Sequence, residues 1–161
     1  MVAKDVVQTF TVREKPTYIA GPLLAGSSSE EAQNVGRAGR IANDLLRAGH
    51  LVYCPHRSWY QDREANGNFG WQWWILYDLE WLRRCGRLVR IPGESLGADI
   101  EVAEALGMGP GMRVYFWDNP GHREWLLKMF TPDGVGIPEA IEQTVPAEPG
   151  DILAAGSGSP R

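Results

Sequence analysis

The chain has 161 residues, 43% of them hydrophobic, and a formal charge of −4 at pH 7. That length suits one domain with a real core, and no apolar run approaches the roughly 18 residues that begin to span a bilayer. The mild acidity excludes a general pull toward nucleic acid polymers or anionic membranes, so any phosphate must be held by local groups.

Met1 to Val12 lacks the basic-then-apolar pattern of a secretory leader, which sets a cytoplasmic location as the expectation. Pro16 to Gly21 reads as a first strand ending at a Gly-Pro turn, followed by a Ser/Gly-rich loop over Ala25 to Ser29. Glu30 to Ala48 has helical character and Gly49 is its natural stop. His50 to Cys54 is a second strand closed by Pro55, and the polar, aperiodic stretch from Arg57 to Gly70 is a long loop of the kind that covers a site. Trp71 to Cys85 is a second helix, Arg87 to Ile91 a third strand, and Gly97 to Leu106 a third helix. Arg113 to Trp117 and Gly121 to Phe130 complete the alternation as strand and helix. Strands alternating with helices in this way predict an α/β fold, a doubly wound parallel sheet of four to five strands. Pro, Gly and Glu dominate from Thr131 onward, so the expectation is one domain over residues 1–145 and a flexible tail over 146–161.

In such sheets ligands bind beyond the carboxyl ends of the strands. The most informative of those ends is Pro92 to Glu101, where an apolar strand (Leu88, Val89, Ile91) runs into an Ala-rich helix through small, donor-rich backbone. Ser95 and the N–H groups near Gly97 can hold an anion at that helix end, and Ser95 can also cap the helix. Side chains tilt toward the N-terminus of a helix, so Glu101 reaches back toward the strand end. Asp99 lies about 200° around the axis from it at roughly 100° per residue. Glu104 lies almost a turn deeper, and Glu94 belongs to the loop. The positive helix end is expected to keep Glu101 ionised. Asp78 has Trp74, Ile75, Trp81 and Leu82 at i±3 and i±4, which puts it on a buried face, whereas Glu80 can pair with Arg83 and Arg84 at the surface. Tyr18 in the first strand is either core packing or a hydroxyl that orients a carboxylate. His56 and Arg57 follow the second strand directly and can reach a ligand, and the tryptophans of the loop, Trp59 among them, can stack on a flat base. His50 reads as structural. Cys54 and Cys85 lack the spacing of a zinc or disulfide framework and read as buried thiols; no metal or organic cofactor is expected.

Three ordered segments resemble the nucleoside 2-deoxyribosyltransferase superfamily, including its nucleoside 5′-monophosphate N-glycosidase branch. They are Tyr18-Ile19-Ala20-Gly21-Pro22, Asp78-Leu79-Glu80-Trp81-Leu82 and Ser95-Leu96-Gly97-Ala98-Asp99-Ile100-Glu101. The resemblance covers Thr17 to Trp117 and implies a flavodoxin-like, Rossmann-like fold. It implies cleavage of the base–sugar bond of a small nucleotide or nucleoside, with Glu101 as nucleophile at C1′, Asp78 assisting departure of the base and Tyr18 orienting the nucleophile. Gly21, Ser95, Gly97, His56, Arg57 and Trp59 are the expected substrate-binding residues. The resemblance further implies a homodimer or larger homo-oligomer whose sites are completed across the interface. Two positions depart from the pattern. Cys85-Gly86-Arg87 precedes the third strand where many relatives carry a small or acidic residue. No arginine closely follows Gly21-Pro22, so Arg57 or Arg63 would have to replace a phosphate contact there. Water as acceptor gives a hydrolase and a second base gives a transferase; a nucleotide-sensing module without turnover is the alternative from another class.

Overall fold

The computed structural model describes residues 15–67 and 69–129. The expected boundary at residue 145, the tail beyond it and the last residue of the predicted final helix, Phe130, lie outside the described residues.

Among the described residues four strands, β1 (Thr17–Ala20), β2 (Val52–Tyr53), β3 (Arg87–Arg90) and β4 (Arg113–Phe116), form one sheet in the order β2-β1-β3-β4. All pairings are parallel, with Tyr18 opposite Leu88 and Leu88 opposite Val114. Five α-helices among the described residues connect or follow them: α1 (Ser28–Arg47), α2 (Ser58–Glu64), α3 (Trp71–Leu82), α4 (Leu96–Gly107) and α5 (Pro120–Lys128). The α/β class and the doubly wound arrangement are as the alternation predicts. None of the described helices is long and apolar enough to cross a membrane.

The pleat explains why both faces of the central strands are apolar. Tyr18, Ala20 and Leu88 point to one face, where Leu79 and Leu82 of α3 and Ala98 and Ala105 of α4 cover them. Ile19, Val89 and Ile91 point to the other, against Ala38, Ile41 and Leu45 of α1 and Leu126 of α5. A strand buried on both sides must read as a continuous apolar run, as Leu88-Val89 and Tyr18-Ile19-Ala20 do. His50 ties the second face together: Nδ1 lies 3.0 Å from the Thr17 hydroxyl and Nε2 lies 2.7 Å from the Leu126 carbonyl. Its structural reading holds.

Local sequence sets the helix limits. Ser27 accepts from the Glu30 amide at 3.2 Å and donates to the Glu30 carboxylate at 3.1 Å, so a Ser-x-x-Glu box starts α1 two residues earlier than periodicity alone predicts. Gly49, at φ 90°, closes it. The stretch read as a loop from Arg57 to Gly70 is the main correction. Pro55–Arg57 forms a 3₁₀ turn and Ser58–Glu64 forms α2, leaving irregular backbone only after it. No apolar period marks α2, because polar tips hold it in place. Trp59 Nε1 donates to Glu31 at 3.0 Å, and Asp62 accepts from Trp74 Nε1 at 2.9 Å.

At the carboxyl end of β1 the chain passes so close to β3 that a Cβ on Gly21 would stand 2.1 Å from Ile91 Cγ1. Gly21→Ala is therefore expected to destabilise the fold by about 1–3 kcal/mol, the range typical of overpacking. Urea unfolding measures it, and an unchanged free energy would contradict the close approach.

Candidate active site

The sheet order reverses direction between β1 and β3, and a cavity of about 510 Å³ opens at that point beyond the strand ends. Its walls come from four places: Gly21, Leu23 and Leu24 after β1, Pro55 and His56 after β2, one face of α3, and the β3–α4 connection with the first turns of α4.

Glu101 projects into the cavity from α4 and is 5% exposed. It accepts a 2.7 Å hydrogen bond from the Tyr18 hydroxyl, itself fully buried in β1. Tyr18 therefore serves the carboxylate and not the core alone. Asp78 enters the same cavity from α3, and its Oδ1 is buried without a hydrogen-bond partner among the described residues. A buried oxygen left without a partner is rare enough in folded proteins to call for a reason.

Burial pushes both carboxyl groups up. Asp78 rises to about 7, opposed by a hydrogen bond with Tyr53. Glu101 rises to about 8, burial and the nearby Asp78 charge outweighing the Tyr18 hydrogen bond and the Arg90 charge that pull it down. The helix end alone thus does not keep Glu101 ionised, as the sequence suggested; loss of hydration is the larger effect. Two raised carboxyl groups in one cavity exchange protons near neutrality as a pair.

The other carboxylates are engaged elsewhere. Glu80 pairs with Arg83 at 2.6 Å, Glu104 takes Arg83 Nε at 2.8 Å, and Asp99 takes Arg90 at 3.1 Å. Glu94 lines the rim of the cavity and is exposed.

Ser95 caps α4 by accepting from the Ala98 amide at 3.2 Å, and both Ser95 and Gly97 line the cavity. A Cβ on Gly97 would approach Ile75 Cδ1 to 3.1 Å, so the glycine keeps that helix end open against α3. His56 is also in the wall, 2% exposed, with Nε2 3.1 Å from the Pro22 carbonyl. The carbonyl requires Nε2 to donate, and burial lowers the imidazole to about 4, so His56 is neutral there and anchors the Gly21-Pro22 turn.

Arg57 and Trp59 are not brought to the cavity. The 3₁₀ turn at Pro55 carries Arg57 outward, where its Nη2 would stand 3.7 Å from a Cβ on Gly39 in α1. Trp59 points to Glu31, with the Arg63 guanidinium 4.4 Å over its ring, and Arg63 itself bonds Ser28. The aromatic wall is instead Trp71 and Trp74 of α3, with Ile75 beside them. The signal was present in the sequence, since residues 71, 74 and 75 share one helical face with Asp78. Among the described residues no group of three His, Cys, Asp or Glu could hold a metal ion.

No protein-family model and no curated protein matches the chain. Among solved structures it is similar to the 2-deoxyribosyltransferase from the psychrotolerant bacterium Bacillus psychrosaccharolyticus, described as a biocatalyst for nucleoside synthesis. Identity is 20% and the TM-score 0.41, over 63% of this chain and 72% of that one. At this level of likeness, substrate and reaction have to be argued from the site itself.

The raised carboxyl groups have a measurable consequence. In the unfolded chain they ionise near their ordinary values of 3.8 for Asp78 and 4.5 for Glu101, and in the folded chain only near 7 and 8. Below the ordinary values both states hold the protons. As pH rises toward 8 the unfolded state ionises first, so stability falls across that window. Glu101→Gln keeps the shape and removes its share of the loss. Its Tm is expected to exceed that of the wild type by about 4 °C or more at pH 8, with the gain shrinking toward pH 4. A difference that does not grow with pH, followed by calorimetry, would contradict this account.

Proposed function

We propose that the protein is an N-glycosidase of nucleoside 5′-monophosphates that works through a covalent glycosyl-Glu101 intermediate. The observation that carries this reading is the pairing, in one cavity, of a carboxylate oriented by a buried tyrosine with a second buried carboxyl group that ionises only near neutrality. This is the equipment of retaining glycosidases, a nucleophile and an acid around an oxocarbenium-like transition state. The three-segment resemblance to the nucleoside 2-deoxyribosyltransferase superfamily supports the same assignment.

In the first step Glu101 attacks C1′ and the C1′–N bond breaks. Its electron pair goes to the base, which takes the Asp78 proton. The Tyr18 hydroxyl and the nearby Arg90 charge favour the anion on Glu101, and positive charge growing at C1′ favours it further. In the free protein Glu101, at about 8, holds the shared proton more tightly than Asp78, at about 7, so it is the charge growing at C1′ that shifts the proton to Asp78 as the reaction proceeds. In the second step water attacks C1′, gives a proton to the Asp78 carboxylate and releases the sugar 5-phosphate with Glu101 restored. Ser95 and the backbone at Gly97 face the position for the phosphate, where helix-end N–H groups suit an anion. Trp71 and Trp74 form a flat apolar wall suited to the base.

The test incubates the protein with ribo- and deoxyribonucleoside monophosphates and with nucleosides, with and without an acceptor base, and follows free base by chromatography. Release without acceptor is the expected result; exchange only with acceptor would assign a transferase, and no reaction would leave the binding-module reading. Glu101→Ala is expected to lower kcat about 10⁴-fold. Asp78→Asn is expected to lower it about 10²–10³-fold, the usual range for losing a general acid, with a much smaller effect on KM. Equal loss of kcat and affinity in Asp78→Asn would mark that residue as structural.

We further propose that the chain is a homodimer or larger. Only Gln72, Asp78 and Glu80 interrupt the apolar sequence of α3, so it carries apolar residues around most of its circumference. Trp73, Leu76 and Tyr77 are left exposed on its outer side, and an apolar surface of this kind marks an interaction site. Sedimentation is expected to show a dimer or higher species that Trp73→Glu converts to monomer; a wild-type monomer at micromolar concentration would refute it.

A further inference from the structure

Residue 90 breaks the pattern of β3. Leu88, Val89 and Ile91 are fully buried apolar residues on the two faces of the sheet, and between them stands an arginine whose side chain is only 12% exposed. A largely buried arginine at the end of a central strand of a parallel sheet is unfavourable unless its donors are used.

Both terminal nitrogens are used, and on one connection. Arg90 Nη1 donates to the Ile91 carbonyl, and Nη2 donates to the Gly93 carbonyl at 2.8 Å and to Asp99 Oδ1 at 3.1 Å. One planar guanidinium thus joins the strand end, the apex of the loop and the first turn of α4. The three acceptors bracket Ser95 and Gly97, and the last lies two residues before Glu101. The loop is also confined from the far side, because a Cβ on Gly93 would stand 2.7 Å from Pro22 Cγ in the β1–α1 connection.

We propose that Arg90 is the positioning residue of the site, fixing the β3–α4 connection so that the capped end of α4 and the Glu101 carboxylate hold one geometry toward the cavity. The function of the clamp rests on the glycosidase reading; the clamp itself rests on the three contacts. A lysine could carry the charge but not the fork, since a single ammonium cannot span acceptors that a rigid planar group reaches in fixed directions. The same guanidinium acts on Glu101 as a charge. The titratable and charged groups that face Glu101 are Tyr18 from β1, Asp78 from α3 and Arg90 from β3; β4, which also packs on α4, places none against it among the described residues. Of these three, Arg90 is the cation.

Arg90→Met and Arg90→Lys separate the two effects, with Asp99→Asn as a milder variant that removes one acceptor's charge and leaves both loop bonds. The first readout needs no activity: the Glu101 carboxyl is titrated by carbon NMR in selectively labelled protein, with Glu101→Gln identifying its signal. Its titration is expected to move to higher pH in Arg90→Met and to stay near the wild-type position in Arg90→Lys. The second readout is steady-state kinetics. Arg90→Met and Arg90→Lys are both expected to lower kcat about 10–100-fold with KM changed less than about threefold, the signature of a misplaced reacting group. Should Arg90→Met fail to fold, Arg90→Lys and Asp99→Asn carry the kinetic test. In Asp99→Asn, kcat is expected to fall only a few fold. A folded Arg90→Met with wild-type titration and kcat, or an Arg90→Lys with wild-type kcat, would overturn the proposal. A shifted titration in a protein that cleaves no substrate would refute the glycosidase reading and leave the clamp standing.

Discussion

The hydrogen bond from the Tyr18 hydroxyl to Glu101 is the contact on which the site depends, and the fold is what makes it possible. Tyr18 comes from a central strand and Glu101 from a helix that follows the neighbouring strand, 83 positions apart in the chain. Only a parallel sheet with β1 next to β3, and with α4 on the face to which Tyr18 points, brings them within 2.7 Å. In return, the bond fixes a carboxylate that has lost its hydration. A charge-assisted hydrogen bond in such a setting is stronger than in water, while a carboxylate without it would be more costly still. The ring reinforces this from the other side, tilted against Tyr53 at 5.6 Å, with Tyr53 stacked on Trp81 of α3 at 5.0 Å. An aromatic column therefore runs from β1 through β2 to the helix that carries Asp78, so the two carboxylates are placed by one packed unit.

Much of this was legible in the sequence, for definable reasons. Burial on both sides of a strand leaves a mark, and Tyr18-Ile19-Ala20 and Leu88-Val89 carry it. The helix geometry of a single residue, Asp78, could be read from its four apolar neighbours at i±3 and i±4, and Glu101 could be separated from Asp99 and Glu104 by angle and depth. What escaped was whatever is held by polar atoms. The helix Ser58–Glu64 has no apolar stripe because Trp59 and Asp62 secure it through hydrogen bonds to Glu31 and Trp74. Arg57 looked close to the site by chain position, and a 3₁₀ turn of three residues was enough to carry it outward. Trp71 and Trp74 lay on the face already recognised through Asp78, but aromatic residues beside a polar loop give no sign of which wall they form. Arg90 was passed over because a strand is recognised by its apolar members.

Among the described residues that line the cavity there is no arginine or lysine. The cavity's imidazole is held neutral by burial and by its bond to Pro22, Arg57 is turned toward α1, Arg63 bonds Ser28, Arg90 is engaged by the loop, and Arg37 stands behind Gly93 and His56. An anion at the mouth of the sheet would thus be met by the end of α4, by its capping serine and by backbone. Such donors are fixed in direction and carry little full charge, so they select for geometry more than for charge. That fits a protein whose net charge gives anionic ligands no long-range attraction.

The two buried carboxyl groups also bear on what kind of protein this is. Each is raised toward neutrality chiefly by burial, which means that each lowers the stability of the fold at physiological pH relative to an uncharged isostere. A binding module has no use for that expense: a phosphate or sugar hydroxyl can be held by serine and backbone, both of which line the same cavity. Acid and nucleophile chemistry, by contrast, requires a carboxyl that still carries its proton near pH 7 beside one that can give up its own, and low dielectric is the means by which proteins obtain both. The unpartnered Asp78 oxygen is the sharpest form of this point. It bears a desolvation penalty within a fold that satisfies Glu101 a short distance away, and in the proposed reaction a substrate's leaving group would supply the missing partner.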